Sequence, residues 1–426
     1  LNVLGTALGN RGDAEEGAAA LREALEISRE AGLPREVTAA YINLADVLHV
    51  NGRTGEAVAV AREGLESSAP GTRGHDWLLM NTVEFSYYLG RWDEAREVMP
   101  TSSRRRSGTQ LFVWRMCQAV LALGTGDLDA ARLELDAMEP IARESTEPQF
   151  VGAYGWMRAE LERRSGNIDV ARAAVDDALD QIEYCSDDVA RIAGVAGMGM
   201  RIEGDAATLA RDRRAAEDEQ AALRRAAEQI ERLRLTGEAG GPVERAELAS
   251  GDAELARAKG EREVELWSAA AETWEELQRP YRRVYSRWRE AEALVRADDR
   301  GAAATVASEA LRAARELGSD WLVAELESLA ARARLRLLGR VEPATAVDSG
   351  AAPDDEPFGL TPRERQVLAL VARGSTNREI GLELHMAEKT ASVHVSRILA
   401  KLDVRSRTEA AAVAVRQGLA DSGAAV

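Results

Sequence analysis

The 426-residue chain has two cysteines, four histidines and few aromatic residues, 4% of the total. Cys117 and Cys185 lie far apart in apolar, helix-like surroundings. They exclude a disulfide scaffold and fit a reducing compartment. His49, His75, His385 and His394 show no ligand spacing with one another or with cysteine, so no metal centre is expected. No uninterrupted apolar run reaches membrane-spanning length, since Ile192–Met200 is short and broken by glycine. No secretory leader is visible. A cytoplasmic protein without a membrane partner is expected.

The motifs of catalysis are also missing. A phosphate-cradling loop needs glycines ahead of its Lys-Ser/Thr pair; Lys389-Thr390 lacks them, and Lys259 precedes Gly260 in another context. There is no G-x-S-x-G nucleophile turn. Acidic pairs are spread along charged helical surfaces, which gives no argument for acid–base work. No enzyme activity and no cofactor are expected of this chain.

What is present is length, charge and periodicity. The chain exceeds one ordinary domain and can bury a large core. Its net charge of −17 is unevenly divided. From Leu360 to Ala420 ten basic and six acidic residues give +4, and the remaining 45 basic and 66 acidic residues give −21. A basic module beside an acidic body fits local contact with nucleic acid. Only Lys259, Lys389 and Lys401 are lysines, which points to coding bias in a GC-rich bacterial genome. The sequence opens at Leu1 without methionine and already in helical pattern, as expected of a piece of something longer.

Residues 1–338 have helical apolar spacing and little strand-like alternation, which makes them all-α. Glycine-centred turns recur at Gly12, Gly52, Gly90, Gly126 and Gly166, spaced by 40, 38, 36 and 40 residues. Twelve residues after three of them comes a small residue followed by leucine: Ala24-Leu25, Gly64-Leu65 and Ala178-Leu179. Small residues at fixed phase let neighbouring helices approach closely, as stacked helix pairs require. The pattern resembles tetratricopeptide repeats with a longer, looser period.

The rhythm loosens after Arg201. Residues 205–236 read as one charged, alanine-rich helix, ended by Gly237–Pro242. The eight tryptophans fall mostly within repeat helices; they read as packing, with a ligand-gripping concave groove as the alternative. Residues 339–357, rich in Pro, Gly, Ala and acid, read as a linker. Residues 358–420 form a second domain and 421–426 a tail.

Residues 360–419 are densely punctuated. Thr361 with Glu364, Thr376 with Glu379 and Ser406 with Glu409 each read as a capping box, in which hydroxyl and carboxylate satisfy each other's free N–H groups. Pro362 takes the first helical position, and Gly374 and Gly418 stop helices. Four short helices follow, about 361–373, 376–384, 387–402 and 406–417. On the third, Ala391, Val395, Ile398 and Leu402 make an apolar stripe. Lys389, Ser392, Val393, Ser396 and Ala400 recur on a different face, flanked by Arg397 and Lys401. Small hydroxyls can approach base edges, a valine can meet a thymine methyl, and cations can hold phosphates. With the helix before it, this one makes a helix-turn-helix unit.

The segment resembles the DNA-binding domain of the LuxR-type transcriptional regulators. The likeness is carried by L-T-P-R-E at Leu360–Glu364, T-N-R-E-I at Thr376–Ile380, E-K-T at Glu388–Thr390, V-H at Val393–His394 and ILAKLDVRSR at Ile398–Arg407. The resemblance implies base contacts near Ser392, Val393 and Ser396, and phosphate contacts from Arg378, Lys389, Thr390 and Arg397. Family members often carry a basic residue where Ser392 or Ser396 stands, which points to weaker readout or to different bases. Ala387 replaces the usual N-cap serine and Gly381 a common alanine, each costing roughly 1 kcal/mol. The stretch from Leu266 to the helix 320–338 resembles the region ahead of this domain in the large ATP-binding regulators of the same family. In those proteins ATP binds an N-terminal domain absent here.

The expected architecture is a tetratricopeptide-like helical-repeat solenoid followed by a four-helix LuxR-type helix-turn-helix domain. The expected function is that of a sequence-specific regulator, an activator by resemblance, acting on promoter or operator DNA with RNA polymerase. Pairing as a homodimer on DNA is expected, because one reader of about sixty residues buries little surface. The last helix, with Ala411, Val413 and Val415, is the candidate pairing surface. The repeats would sense a peptide, protein or small-molecule effector. The alternative is a repeat-based adaptor whose helix-turn-helix makes protein contacts.

Overall fold

The computed structural model describes residues 1–99, 107–337, 362–383 and 407–416, together with Val395, Ile398, Leu399, Leu402 and Val404. The side chains at 362–365, 378, 381, 382, 408, 412, 415 and 416 lie outside that description. The described residues hold helices and turns and no strand. They divide into two compact units, Leu1–Arg340 and Val341–Val426.

The first unit is built of consecutive helices. They are α1 (Asn2–Asn10), α2 (Ala14–Glu30), α3 (Pro34–Val50), α4 (Thr54–Ser67), α5 (Arg73–Tyr88) and α6 (Trp92–Val98). Then come α7 (Gly108–Thr125), α8 (Leu128–Glu144), α9 (Pro148–Arg164), α10 (Ile168–Cys185), α11 (Val189–Arg213) and α12 (Ala216–Ala239). The unit continues with α13 (Pro242–Lys259), α14 (Val264–Glu276), α15 (Pro280–Arg296), α16 (Arg300–Leu317) and α17 (Asp320–Ala333). Local chemistry sets several starts. Asp127, Asp188 and Asp299 accept from the backbone N–H three residues on, at 3.0, 3.1 and 3.0 Å. Each satisfies one of the free donors at a helix start.

Each helix packs on the next from α1 to α6 and from α7 to α17, and each odd helix also packs on the odd helix after it from α1 to α13. Odd helices therefore form the inner layer of a solenoid and even helices the outer one. The five turn glycines predicted by spacing all have positive φ, from +73° to +106°. That conformation is natural only to glycine. The small residues after them also do what the spacing implies. A Cβ on Gly64 would come within 2.9 Å of both Tyr41 Cβ and Leu78 Cδ1, so α4 lies tight against α3 and α5.

The expected single helix 205–236 is two. α11 ends at Arg213, its C-cap Arg214 takes φ +58°, and α12 starts at Ala216. The break has no glycine or proline to mark it. Gln278, Asp298 and Arg334 likewise turn left-handed without glycine, which explains why the rhythm fades in the sequence while the helix pairs continue.

The solenoid curls far enough for distant helices to meet. Ser319 Oγ, at the start of α17, donates to the Gly124 carbonyl of α7 at 2.8 Å. Arg164 of α9 stacks over the Trp321 ring, 3.7 Å from its centroid. Arg279, just before α15, donates through Nη2 to the His49 carbonyl of α3 at 3.3 Å. A large core runs through α5, α7 and α9 to α13–α17 and includes Trp92, Phe112, Trp267 and Trp288. A separate cluster lies at the start, around Leu21, Tyr41, Leu48 and Phe85.

Cys117 is buried, as an apolar setting requires, but Cys185 is exposed where α10 ends; both are free thiols. No metal-holding cluster occurs among the described residues, and no described helix is long and apolar enough to cross a membrane.

Candidate functional site

In the second unit, α18 (Pro362–Ala372) and α19 (Asn377–Glu383) precede a last described helix, Arg407–Arg416. Val367, Leu368, Leu370 and Val371 of α18 are buried against Ile380, Ala410 and Ala414. Val395, Ile398 and Leu402 join the same core, so three of the four stripe positions of the third predicted helix face inward. Ala391 lies outside the described residues.

Of the three predicted capping boxes, one is described in full. The Thr376 N–H donates to Glu379 Oε2 at 2.6 Å, and the Glu379 N–H donates to Thr376 Oγ1 at 3.3 Å. The backbone N–H of Thr376 holds the Glu379 carboxyl below its ordinary range. Thr361 and Ser406 lie outside the described residues, as does the side chain of Glu364. Glu409 is exposed in the first turn of the last helix.

Arg407 was not singled out by sequence. Its Nη1 donates to Asn377 Oδ1 at 2.9 Å and its Nη2 to the Ser375 carbonyl, tying the last helix to the turn that starts α19. The signal was present in the ILAKLDVRSR run, which ends on this residue. Ala411 and Val413, expected to be exposed for pairing, are half-buried against the domain core; Val415 is outside the description. The base-facing set Ser392, Val393 and Ser396 and the phosphate set Lys389, Thr390, Arg397 and Lys401 lie outside the described residues. So does the side chain of Arg378.

The first unit holds a cavity of about 1120 Å³, open on one side and larger than most small-molecule sites. Inner helices α3, α5, α7, α9, α11 and α13 line it, with contributions from Trp274, Arg279 and the first turn of α15. Successive turns of each helix contribute, with Thr38, Ile42, Asp46 and His49 among the lining residues of α3 and Trp77, Asn81, Glu84 and Tyr88 among those of α5. Trp77 and Trp156 are half-buried and line the cavity, whereas Trp92, Trp114, Trp267 and Trp288 pack in the core.

The cavity is unusual in its ionisable groups. Burial, reinforced by the neighbouring Asp46 carboxylate, raises Glu84 to about 7. Burial also raises Asp46, against the pull of Arg191, whose Nη2 lies 3.6 Å away. His49 stacks on Phe85 at 4.5 Å between ring centroids, and burial followed by the Arg279 charge keeps its imidazole well below its ordinary value. Arg279 itself is lowered to about 10 by burial. Its guanidinium lies 4.5 Å from the Tyr88 centroid. Aromatic faces combined with incompletely satisfied charges suit binding of an amphipathic molecule.

Comparison with known proteins places these two units. Residues 359–414 match the family model "Bacterial regulatory proteins, luxR family". The transcriptional regulatory protein LiaR of Bacillus subtilis is 52% identical over 60 residues, 14% of this chain and 28% of that protein. The DNA-binding transcriptional activator DevR/DosR of Mycobacterium tuberculosis is 47% identical over 66 residues, 15% of this chain and 30% of that protein. The chain thus spans less than a third of the length of these relatives. The solved structure of a Rap protein complexed with Competence and Sporulation Factor overlays 70% of this chain and 83% of that one, with a TM-score of 0.51 and 11% identity. That likeness concerns the fold, and it supports a tetratricopeptide-like helical repeat. Residues 359–414 are a helix-turn-helix domain of the luxR family of bacterial regulatory proteins, following a helical-repeat body.

Proposed function

We propose that the chain is a sequence-specific DNA-binding transcriptional regulator, acting in the cytoplasm as an activator, whose repeat body takes an effector and thereby controls pairing of the DNA-binding domains. The observation that carries this reading is the luxR-family match over 359–414, supported by the buried packing of Val395, Ile398 and Leu402. By sequence spacing alone, Ser392, Val393 and Ser396 fall out of phase with that stripe, as the positions of a base-reading face would. Lys389, Thr390, Arg378, Arg397 and Lys401 supply the phosphate contacts.

Three further observations support the finer parts. DevR/DosR is described as a transcriptional activator, which favours activation through RNA polymerase. The acidic body beside a basic module would keep all but the reader away from DNA. The Rap protein was solved in complex with Competence and Sporulation Factor, and a body of similar fold here holds a cavity large enough for an effector.

Selection of bound duplexes from a random pool by the full chain tests the reading. Recovery of one recurrent motif, with two half-sites at fixed spacing, is the expected result. Failure to enrich any sequence above the starting pool would remove the regulator assignment.

A further inference from the structure

The cavity wall carries six arginines and three carboxylates, although the body around it is acidic overall. The carboxylates do not neutralise all of them. Arg282 pairs with Glu247, and Arg191 lies 3.6 Å from Asp46 and 3.4 Å from Asp188. Arg279 and Arg201 have no carboxylate within ion-pair distance among the described residues, and both are more than nine-tenths buried, at 4% and 7% exposure. The Arg201 guanidinium makes no hydrogen bond among the described residues either; it lies over the Tyr285 ring, 4.8 Å from the centroid. Arg279 Nη1 is buried and has no acceptor. A buried cation lacking a counter-ion is costly, and a ligand that supplies one offsets the cost.

The remaining wall sets the rest of the chemistry. Trp77 and Trp156 offer flat apolar surface. The Asn81 amide, 6% exposed, lines the cavity and makes no hydrogen bond among the described residues, so it can meet a carbonyl or N–H of a ligand. Glu84 lacks a hydrogen-bonded or ion-paired partner there as well. Burial raises it to about 7, which leaves it a weak attractant for cations near neutrality.

We propose that the cavity selects an anionic amphipathic ligand, its anionic head held by Arg279 and Arg201 and its apolar body lying against Trp77 and Trp156. This rests on the reading of the repeat body as an effector domain and names the chemistry of that effector. A carboxylate fits as the tail of a small amphipathic acid or as the C-terminus of a short peptide. In either form the planar guanidinium groups donate charge-assisted hydrogen bonds.

Two dyes of nearly the same shape test the head group on the full chain: 1-anilinonaphthalene-8-sulfonate and its uncharged counterpart N-phenyl-1-naphthylamine, each titrated by fluorescence. The expected result is tighter binding of the sulfonate. Arg279→Gln and Arg201→Gln should each weaken it about tenfold and leave the uncharged dye unchanged within about twofold, the size of change expected for one charged hydrogen bond. Arg201→Lys should retain most of the sulfonate affinity, which keeps the test readable if Arg279→Gln unfolds. Competition by decanoate, by a hexapeptide with a free C-terminus and by the same peptide amidated then identifies the source of the head group.

Equal affinity for both dyes, untouched by the arginine substitutions, would overturn the anion preference while leaving an effector cavity in place. Binding of neither dye would overturn both the anion preference and the effector reading.

Discussion

Arg289 Nη2 donates to Asp205 Oδ1 at 2.8 Å, across 84 residues of chain, and so joins α15 to α11. The same oxygen accepts from Arg257 of α13 at 2.8 Å, and the other carboxylate oxygen accepts from Arg163 of α9. One aspartate therefore holds three buried arginines from three helices. Burial would raise its pKa, but the three guanidinium charges hold it far below the ordinary carboxylate range.

Replacing Asp205 by Asn should destabilise the repeat body by about 3 kcal/mol, because three buried cations lose the charge they share and are left with Glu160, Glu254 and Glu292 alone. A depressed folded-state pKa gives stability that is present above the unfolded value near 4 and lost as pH falls. Thermal melts of the wild type should therefore drop from pH 6 to pH 3 by more than those of Asp205→Asn. Parallel curves for the two proteins would contradict this.

Glu84 behaves in the opposite sense. Its folded pKa of about 7 lies above the unfolded value of 4.5, so the folded state holds its proton more tightly. Stability from this group is full below pH 4.5 and is lost as pH rises through 7. Glu84→Gln should raise stability at pH 8.5 by about 1–2 kcal/mol and have little effect at pH 4.5. Melting temperatures at the two pH values check this, and a destabilised variant at pH 8.5 would refute it.

Two left-handed glycines separate backbone strain from packing. Gly32 has φ +65° with nothing near its Cβ position, so Gly32→Ala should cost about 1 kcal/mol. Gly90 has φ +73°, and an added Cβ would sit 2.6 Å from both Pro280 Cγ and Leu317 Cδ2. Gly90→Ala should cost about 2–4 kcal/mol, since the overpacked contact adds to the strain. Equal losses in chemical denaturation would mean that the turn of α5 and α6 does not press on α15 and α16 as described.

These contrasts also mark what the sequence could convey. Gly12, Gly52, Gly90, Gly126 and Gly166 announce five helix pairs because a left-handed turn favours one residue type. Arg214, Gln278 and Asp298 make the same turn with ordinary side chains, so only Gly260 and Gly318 mark the later pairs and the regular spacing is lost. The capping box of Thr376 and Glu379 was legible because both partners lie within four residues. The cavity was not, because its wall takes a few residues from each of many helices, and only the curl that brings Arg279 to His49 assembles it. Asp205 likewise looked like one more acid on a charged helix.

The central claim, that the 359–414 domain reads DNA through the face bearing Val393 and Ser396, is tested most directly by fluorescence anisotropy of the full chain on its selected operator and on random duplex. Titrations should span a series of salt concentrations, with Lys389→Ala, Val393→Ala and Ser396→Ala beside the wild type. The account predicts that Lys389→Ala weakens binding to both duplexes alike and flattens the logarithmic salt slope by about 1. It also predicts that Val393→Ala and Ser396→Ala leave the slope intact and narrow the gap between operator and random DNA by about 1–3 kcal/mol. Unchanged affinity, slope and discrimination in all three variants would contradict it.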